Sequence, residues 1–340
     1  MSKLEDLLAR KGALLADGAT GTNLFEMGLV SGDAPELWNT DEPDKIRALH
    51  RSFVDAGSDI ILTNTFGCNR HRLKLHDAQD RVRELNIAAV ALAREVADAA
   101  GREVLIGGSI GPTGELFQPL GALSYEDGVA AFREQAEALS EGGADILWVE
   151  TMSAVEEMSA AAEAARDIGL PLVITASFDT AGKTMMGLSP KGLGEIQSQF
   201  ACTPVAIGSN CGVGASDLLA AIMDITEAYP DAIVVAKANC GIPQIRGDEV
   251  VYTGTPDLMA KYAHMALDAG ARIVGGCCGT SPVHLAAMRA ALDEHATGRR
   301  PTLDDVISAI GPLVSPPNRE ADAARAKEDG GGRRRGRRRA

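Results

Sequence analysis

No run of about 18 apolar residues occurs anywhere in the 340-residue chain, so no segment reads as a membrane-spanning helix. The chain begins Met1-Ser2-Lys3-Leu4-Glu5-Asp6, with acids where an export signal would need an apolar core. Positive charge is in deficit. The net charge of −14 disfavours nonspecific nucleic-acid binding by the body of the protein. Cysteine is too sparse, at six residues, to form a disulfide framework. Without an export signal these thiols are expected reduced, in a cytoplasmic protein, which leaves metal binding or catalysis as their special uses. Aromatic residues make up only 4 % of the chain, so a cage of aromatic faces around a quaternary ammonium group has little to draw on.

What remains is an ordinary globular composition with one repeating rhythm. From residue 12 onward a short apolar strand, a Gly-rich or polar turn and an alanine-rich helix recur. Eight strands are expected: Ala13–Asp17, Asp59–Thr63, Val104–Gly108, Asp145–Glu150, Leu172–Ser177, Val205–Ser209, Ala232–Lys237 and Ala271–Gly275. Helical patterns fall between them, among them Arg81–Ala99, Tyr125–Gly142, Ala154–Ile168 and Pro256–Ala269, and Gly57, Gly143, Gly169 and Gly270 stand where helices should end. Eight alternating units over this length predict a (β/α)8 TIM barrel, an α/β fold, in preference to an open doubly wound sheet. The expected organisation is one domain over 1–314 and a disordered, Arg-rich tail over 315–340, ending in a run from Arg333 to Arg339. The tail reads first as solvated chain and second as an electrostatic tether.

The stretch Gly275-Gly276-Cys277-Cys278-Gly279-Thr280 stands out. It joins the eighth strand to a helix opened by Ser281-Pro282, at the barrel rim where chemistry is done. Cys211, after the sixth strand, would meet this pair. Three thiols and no obvious fourth Cys or His fit an open zinc site, and such a soft ligand set suits a substrate thiol better than hydrolysis. By spacing alone the pair also fits inert buried thiols, a redox couple or a phosphate-binding turn. Cys68, Cys202 and Cys240 lack a comparable setting. Asp17 and Glu150 each close an apolar strand at the rim. Together they could bind an ammonium group, with the Gly18 and Ala19 amides near a carboxylate; an N-cap, an ion pair or an acid–base couple are the alternatives. The six histidines show no pairing at ligand spacing.

Five fragments, over roughly residues 10–300, resemble the homocysteine S-methyltransferases. They are Asp17-Gly18-Ala19-Thr20-Gly21-Thr22, Thr63-Asn64-Thr65-Phe66, Glu150-Thr151, Ser209-Asn210-Cys211-Gly212 and Gly275-Gly276-Cys277-Cys278-Gly279. That family includes betaine–homocysteine methyltransferase, S-methylmethionine-dependent enzymes and the homocysteine module of cobalamin-dependent methionine synthase. The resemblance implies one Zn2+ per chain held by Cys211, Cys277 and Cys278, with homocysteine sulfur as the fourth ligand. It implies Asp17 and Glu150 at the substrate ammonium, Gly18 near its carboxylate, and Thr63, Thr65 and Asn210 as further substrate contacts. The thiolate then attacks an incoming methyl group, giving methionine. Animal-type betaine enzymes carry tyrosines where this chain has Gly67 and Thr151, whereas Gly108-Ser109-Ile110-Gly111-Pro112-Thr113 and Ala238-Asn239-Cys240-Gly241-Ile242-Pro243 resemble the methionine synthase module. The implied donor is therefore methylcobalamin on a separate corrinoid protein, with betaine as the alternative. A non-catalytic zinc barrel that docks a partner, and a phosphate-binding barrel enzyme, are the readings from other classes.

Overall fold

A computed structural model describes residues 2–246 and 249–317. Strands and helices alternate along the chain. The strands are β1 (Leu14–Leu15), β2 (Ile60–Leu62), β3 (Leu105–Ile110), β4 (Ile146–Met152), β5 (Leu172–Ala176), β6 (Ala206–Cys211) and β7 (Val234–Ala238), then β8 (Pro243–Arg246), β9 (Glu249–Tyr252) and β10 (Ile273–Gly276). Eight of them form a parallel sheet in the order β1-β10-β7-β6-β5-β4-β3-β2. A parallel bridge between Ala16 and Ile60 joins its two ends, so the sheet closes into the expected (β/α)8 barrel. The remaining two, β8 and β9, form an antiparallel hairpin in the loop after β7, which the strand pattern did not reveal. Each expected apolar run coincides with a barrel strand, because a strand covered on both faces is apolar throughout.

Side chains alternate between the barrel interior and the helical layer. Leu15, Ile61, Ile106, Leu147 and Ile174 face outward and pack under the helices. Leu14, Ile60, Leu105, Ile146, Trp148 and Val235 pack in the interior. The helix Lys3–Lys11 adds Leu4, Leu7 and Leu8 to that same cluster and so plugs the amino end of the barrel. Its start is fixed by a reciprocal capping box between Ser2 and Glu5. Two to four residues further along the inward rows come Ser109, Glu150, Thr175, Lys237 and Cys277. The interior therefore changes from apolar to polar towards the carboxyl rim.

The helix expected over Tyr125–Gly142 has those bounds, and Gly143 ends it in the left-handed region (φ 92°). Ser281 and Pro282 open the helix Pro282–Asp293 as expected. Residues 315–317 lie against the barrel. The Ser315 N–H donates to Asp217 Oδ1 (2.8 Å), and Ser315 Oγ accepts from the Ala181 N–H (2.7 Å). The rest of the expected tail, 318–340, lies outside the described residues. No helix among the described residues is long and apolar enough to cross a membrane.

Candidate metal and substrate site

Cys211 ends β6, and Cys277 and Cys278 follow β10. Their three sulfurs lie within 4.8 Å of one another, with Cys211 and Cys278 at 4.0 Å. Thiolates at about 2.3 Å from a tetrahedral zinc are about 3.8 Å apart, so these side chains fit three corners of such a site. The described residues contain no other group of this kind.

Backbone hydrogen bonds fix the turn that carries the pair. The Cys277 N–H donates to the Ala238 carbonyl (2.7 Å), and the Cys278 N–H donates to Asn239 Oδ1 (3.0 Å). Cys211 adopts a left-handed backbone (φ 64°), as does Thr151 across the barrel rim (φ 63°). For a residue with a side chain this costs about 1–2 kcal/mol. It persists where the surroundings over-determine it. Asn210 supplies that constraint. Its Oδ1 accepts from the Thr151 N–H (2.8 Å) and the Thr175 hydroxyl (2.7 Å), and its Nδ2 donates to Thr151 Oγ1 (2.7 Å). The same Nδ2 lies 3.9 Å from Cys277 Sγ.

The hydrogen bond with Cys277, together with burial, pushes the Cys211 thiol up to about 12. The bond with Cys211 pushes Cys278 up to about 11. Neutral thiols are thus the stable form of the cluster by itself, and a bound cation reverses the preference. Tyr252, at the end of the hairpin, hydrogen-bonds Cys278, and its ring lies where a Cβ on Gly279 would be.

One layer below the thiols is a buried group of charges. Asp17 and Lys237 are 1 % and 2 % exposed and Glu150 is 9 % exposed. Lys237 Nζ donates to Asp17 Oδ1 (2.6 Å), the Leu62 N–H donates to Asp17 Oδ2 (2.7 Å), and Ser109 Oγ donates to Glu150 Oε1 (2.5 Å). Burial raises the carboxyls of Asp17 and Glu150 above the usual range, and Lys237 draws both back. Burial works against the charge on Lys237, but the two carboxylates outweigh it and lift its pKa.

The other expected substrate contacts occupy the same rim with their polar groups engaged. Thr63 and Thr65 share a hydrogen bond between their hydroxyls (2.6 Å), and Thr65 also reaches the Ser109 carbonyl (2.7 Å). At Gly18 a Cβ would lie 2.6 Å from the Thr280 carbonyl oxygen, so only glycine fits. The Ala19 N–H donates to that same carbonyl (3.1 Å), which removes Ala19 from the expected pair of carboxylate-binding amides. Asp17 caps no helix; the N-cap of the helix Thr20–Glu26 is Ala19. Cys68 and Cys240, which lacked a comparable setting in the sequence, are buried.

Sequence reasoning missed Lys237, Tyr252 and the Ser109–Glu150 bond. Lys237 had a legible signal: a single cation on the inward row of Val234-Val235-Ala236-Lys237-Ala238, in a strand otherwise apolar throughout. A cavity of about 140 Å³ opens elsewhere on the rim, lined by Glu36, Phe66, Arg72 and His76.

A model of the family described as homocysteine S-methyltransferase matches residues 14–292. The chain belongs to the homocysteine S-methyltransferase family. Among its relatives, methionine synthase of Mycobacterium tuberculosis (strain ATCC 25618 / H37Rv) is 30 % identical over 332 residues, covering 90 % of this chain and 27 % of the relative. Methionine synthase of Mycobacterium leprae (strain TN) is 30 % identical over 309 residues, covering 85 % and 25 %. The chain thus spans about a quarter of the length of these curated relatives. Two solved structures of the Escherichia coli homocysteine methyltransferase MmuM, in oxidized and metallated forms, match with TM-scores of 0.71 and 0.70 at 25 % and 26 % identity. They cover 84 % of this chain and 98 % and 99 % of MmuM. In this homocysteine S-methyltransferase family member, the three-thiol cluster and the buried carboxylates share one end of one barrel.

Proposed function

We propose that the protein binds homocysteine and transfers a methyl group to its sulfur, forming methionine, with zinc held by Cys211, Cys277 and Cys278. The observation that carries this reading is the juxtaposition of a three-thiol cluster with two buried carboxylates whose charge Lys237 only half cancels. Zinc would supply a position that takes up a thiol and lowers its pKa to give the nucleophile.

The protein's own residues do the rest. Glu150 Oε2 carries no hydrogen bond to a described residue, and accepts the substrate ammonium beside Asp17. The Gly18 backbone, held close to Thr280, faces the substrate carboxylate. Asn210 and Asn239 hold the two cysteine segments in register, so the amino-acid end and the sulfur end are fixed together. The chemical step forms an S–CH3 bond as the donor–CH3 bond breaks. The bonding pair of the old bond stays with the donor.

For the donor we infer a methyl-corrinoid carried by a separate protein, in keeping with relatives named methionine synthase and with the low aromatic content of the chain. Trp148 lies buried beneath Lys237, and Trp38 packs against the core with Lys45 over its ring (4.2 Å). Phe66, by contrast, is exposed. A second reading rests on Phe66: the cavity it shares with Glu36 and Arg72 pairs an aromatic face and an acid with a cation, as a betaine-like zwitterion requires.

The test offers zinc-loaded protein and homocysteine either betaine or a methylated corrinoid, free and protein-bound, and measures methionine. Turnover with the corrinoid alone supports the first reading, and turnover with betaine alone supports the second. No methionine with any donor overturns both. A cytoplasmic location remains part of the proposal.

A further inference from the structure

Lys237 is a full positive charge inside a barrel, and nothing in the reaction calls for a lysine. Its placement is built. The side chain leaves β7 where that strand pairs with Asn210 of β6 and Gly275 of β10. A Cβ on Gly275 would lie 3.1 Å from Lys237 Cγ and 3.0 Å from the Ala16 Cβ, so the glycine leaves room for the lysine stem. The ammonium passes over the Trp148 ring, 5.8 Å from its centroid, and meets Asp17 Oδ1 at 2.6 Å. The ionisable groups facing one another here are Asp17 from β1, Glu150 from β4, Lys237 from β7 and Cys277 after β10.

We propose that Lys237 is a positioning residue that holds the Asp17 carboxylate, fixed and charged, as one wall of the ammonium site for the amino-acid substrate. The inference rests on the reading of homocysteine as substrate. Two carboxylates this deeply buried favour taking up a proton over remaining ionised together. With Lys237 present, its ammonium at 2.6 Å from Asp17 Oδ1 draws both carboxyls back towards their ionised forms, so a substrate ammonium meets less competition from a proton. Without Lys237, a proton and the ammonium compete for the same oxygens. The amine of the substrate then becomes a poor handle at low pH and recovers as the proton leaves. A lysine that served only the fold would affect all thiols alike.

The test compares two ligands on the zinc-loaded full chain by calorimetry from pH 6 to 8.5: homocysteine, and 4-mercaptobutyrate, which keeps the thiol and carboxylate and lacks the amine. Wild type is expected to prefer homocysteine by a ratio that changes little with pH. In Lys237→Met that preference should fall at least tenfold at pH 6.5 and return towards the wild-type ratio by pH 8.5, with zinc content and 4-mercaptobutyrate affinity unchanged. An unchanged preference at every pH, or an equal loss for both ligands, would overturn the proposal. Should the single variant fail to fold, Asp17→Asn with Lys237→Met removes both charges of the pair. That double variant should fold with a preference reduced at least tenfold at all pH values, and a wild-type preference in it overturns the idea. If wild type binds neither thiol, the homocysteine reading itself fails, an outcome distinct from a preference that ignores Lys237.

Discussion

Replacing Glu150 by Gln separates binding from stability. The side chain keeps its size, and the amide oxygen can still accept the Ser109 hydroxyl, which reaches Glu150 Oε1 at 2.5 Å. What disappears is one negative charge in a group of three. Asp17 and Lys237 then cancel, and an arriving ammonium becomes an uncompensated buried cation. A hydrogen bond to a charged partner contributes about 1.5–3 kcal/mol. At about 1.4 kcal/mol per tenfold, homocysteine should bind roughly 10- to 150-fold more weakly. Stability should move the other way. Burial raises the Glu150 carboxyl above its ordinary 4.5. An acid raised in the folded state contributes stability that is complete below the unfolded pKa and lost as pH rises through the folded one. At neutral pH the wild type carries that loss and the glutamine variant does not, so its melting temperature should equal or exceed the wild-type value. Calorimetric titration with homocysteine, metal analysis and a thermal melt on one preparation decide the matter. Unchanged affinity would remove Glu150 from the ammonium site, and loss of zinc or a lower melting temperature would refute the reasoning above.

Three further outcomes follow from other parts of the molecule. Cys278→Ala should lose the metal, from one zinc per chain to almost none, and abolish methionine formation while circular dichroism stays that of the barrel; a metal-replete, active variant would contradict the ligand assignment. Gly208→Ala would place a Cβ 2.0 Å from the Val235 carbonyl oxygen, on the backbone of the neighbouring strand. It should destabilise by about 3 kcal/mol or fail to fold, read from urea midpoints. His50 is fully buried, neither ring nitrogen has a partner among the described residues, and burial lowers its pKa from 6.5 to about 4. Its contribution is flat above pH 6.5 and is lost as pH falls towards 4, a difference of about 3 kcal/mol. His50→Leu should therefore flatten the acid limb of stability against pH, and an unaltered limb would contradict this.

The barrel was legible because its signals are local. Runs such as Leu172–Ala176 are apolar throughout and short, and Tyr125–Gly142 is bracketed by Ser124 and Gly143. The N-terminal helix was equally legible, since Ser2 and Glu5 form a capping box in the sequence itself, but its apolar residues are too few to stand out as a core element. The hairpin after β7 was hidden behind Pro243, which argues against a strand unless the strand is short and at an edge. Cys211, Cys277 and Cys278 could be named together because each adjoins a strand end, and a closed barrel brings all strand ends to one rim. The partner of Asp17 could not be named. Lys237 is 220 residues away, and only the pairing of β7 with β10 and of β10 with β1 carries it to the same side of the interior. Nor does any residue type announce the left-handed backbone at Thr151 and Cys211, which arises from one asparagine bonding across two strands.

X-ray absorption at the zinc edge, before and after homocysteine is added, tests the central claim most directly. Three sulfur neighbours and one lighter atom should become four sulfurs at about 2.3 Å, as the substrate thiol joins Cys211, Cys277 and Cys278. A spectrum already showing four sulfurs, or one that homocysteine leaves unaltered, would mean that the site is closed and that the methyl-transfer account is wrong.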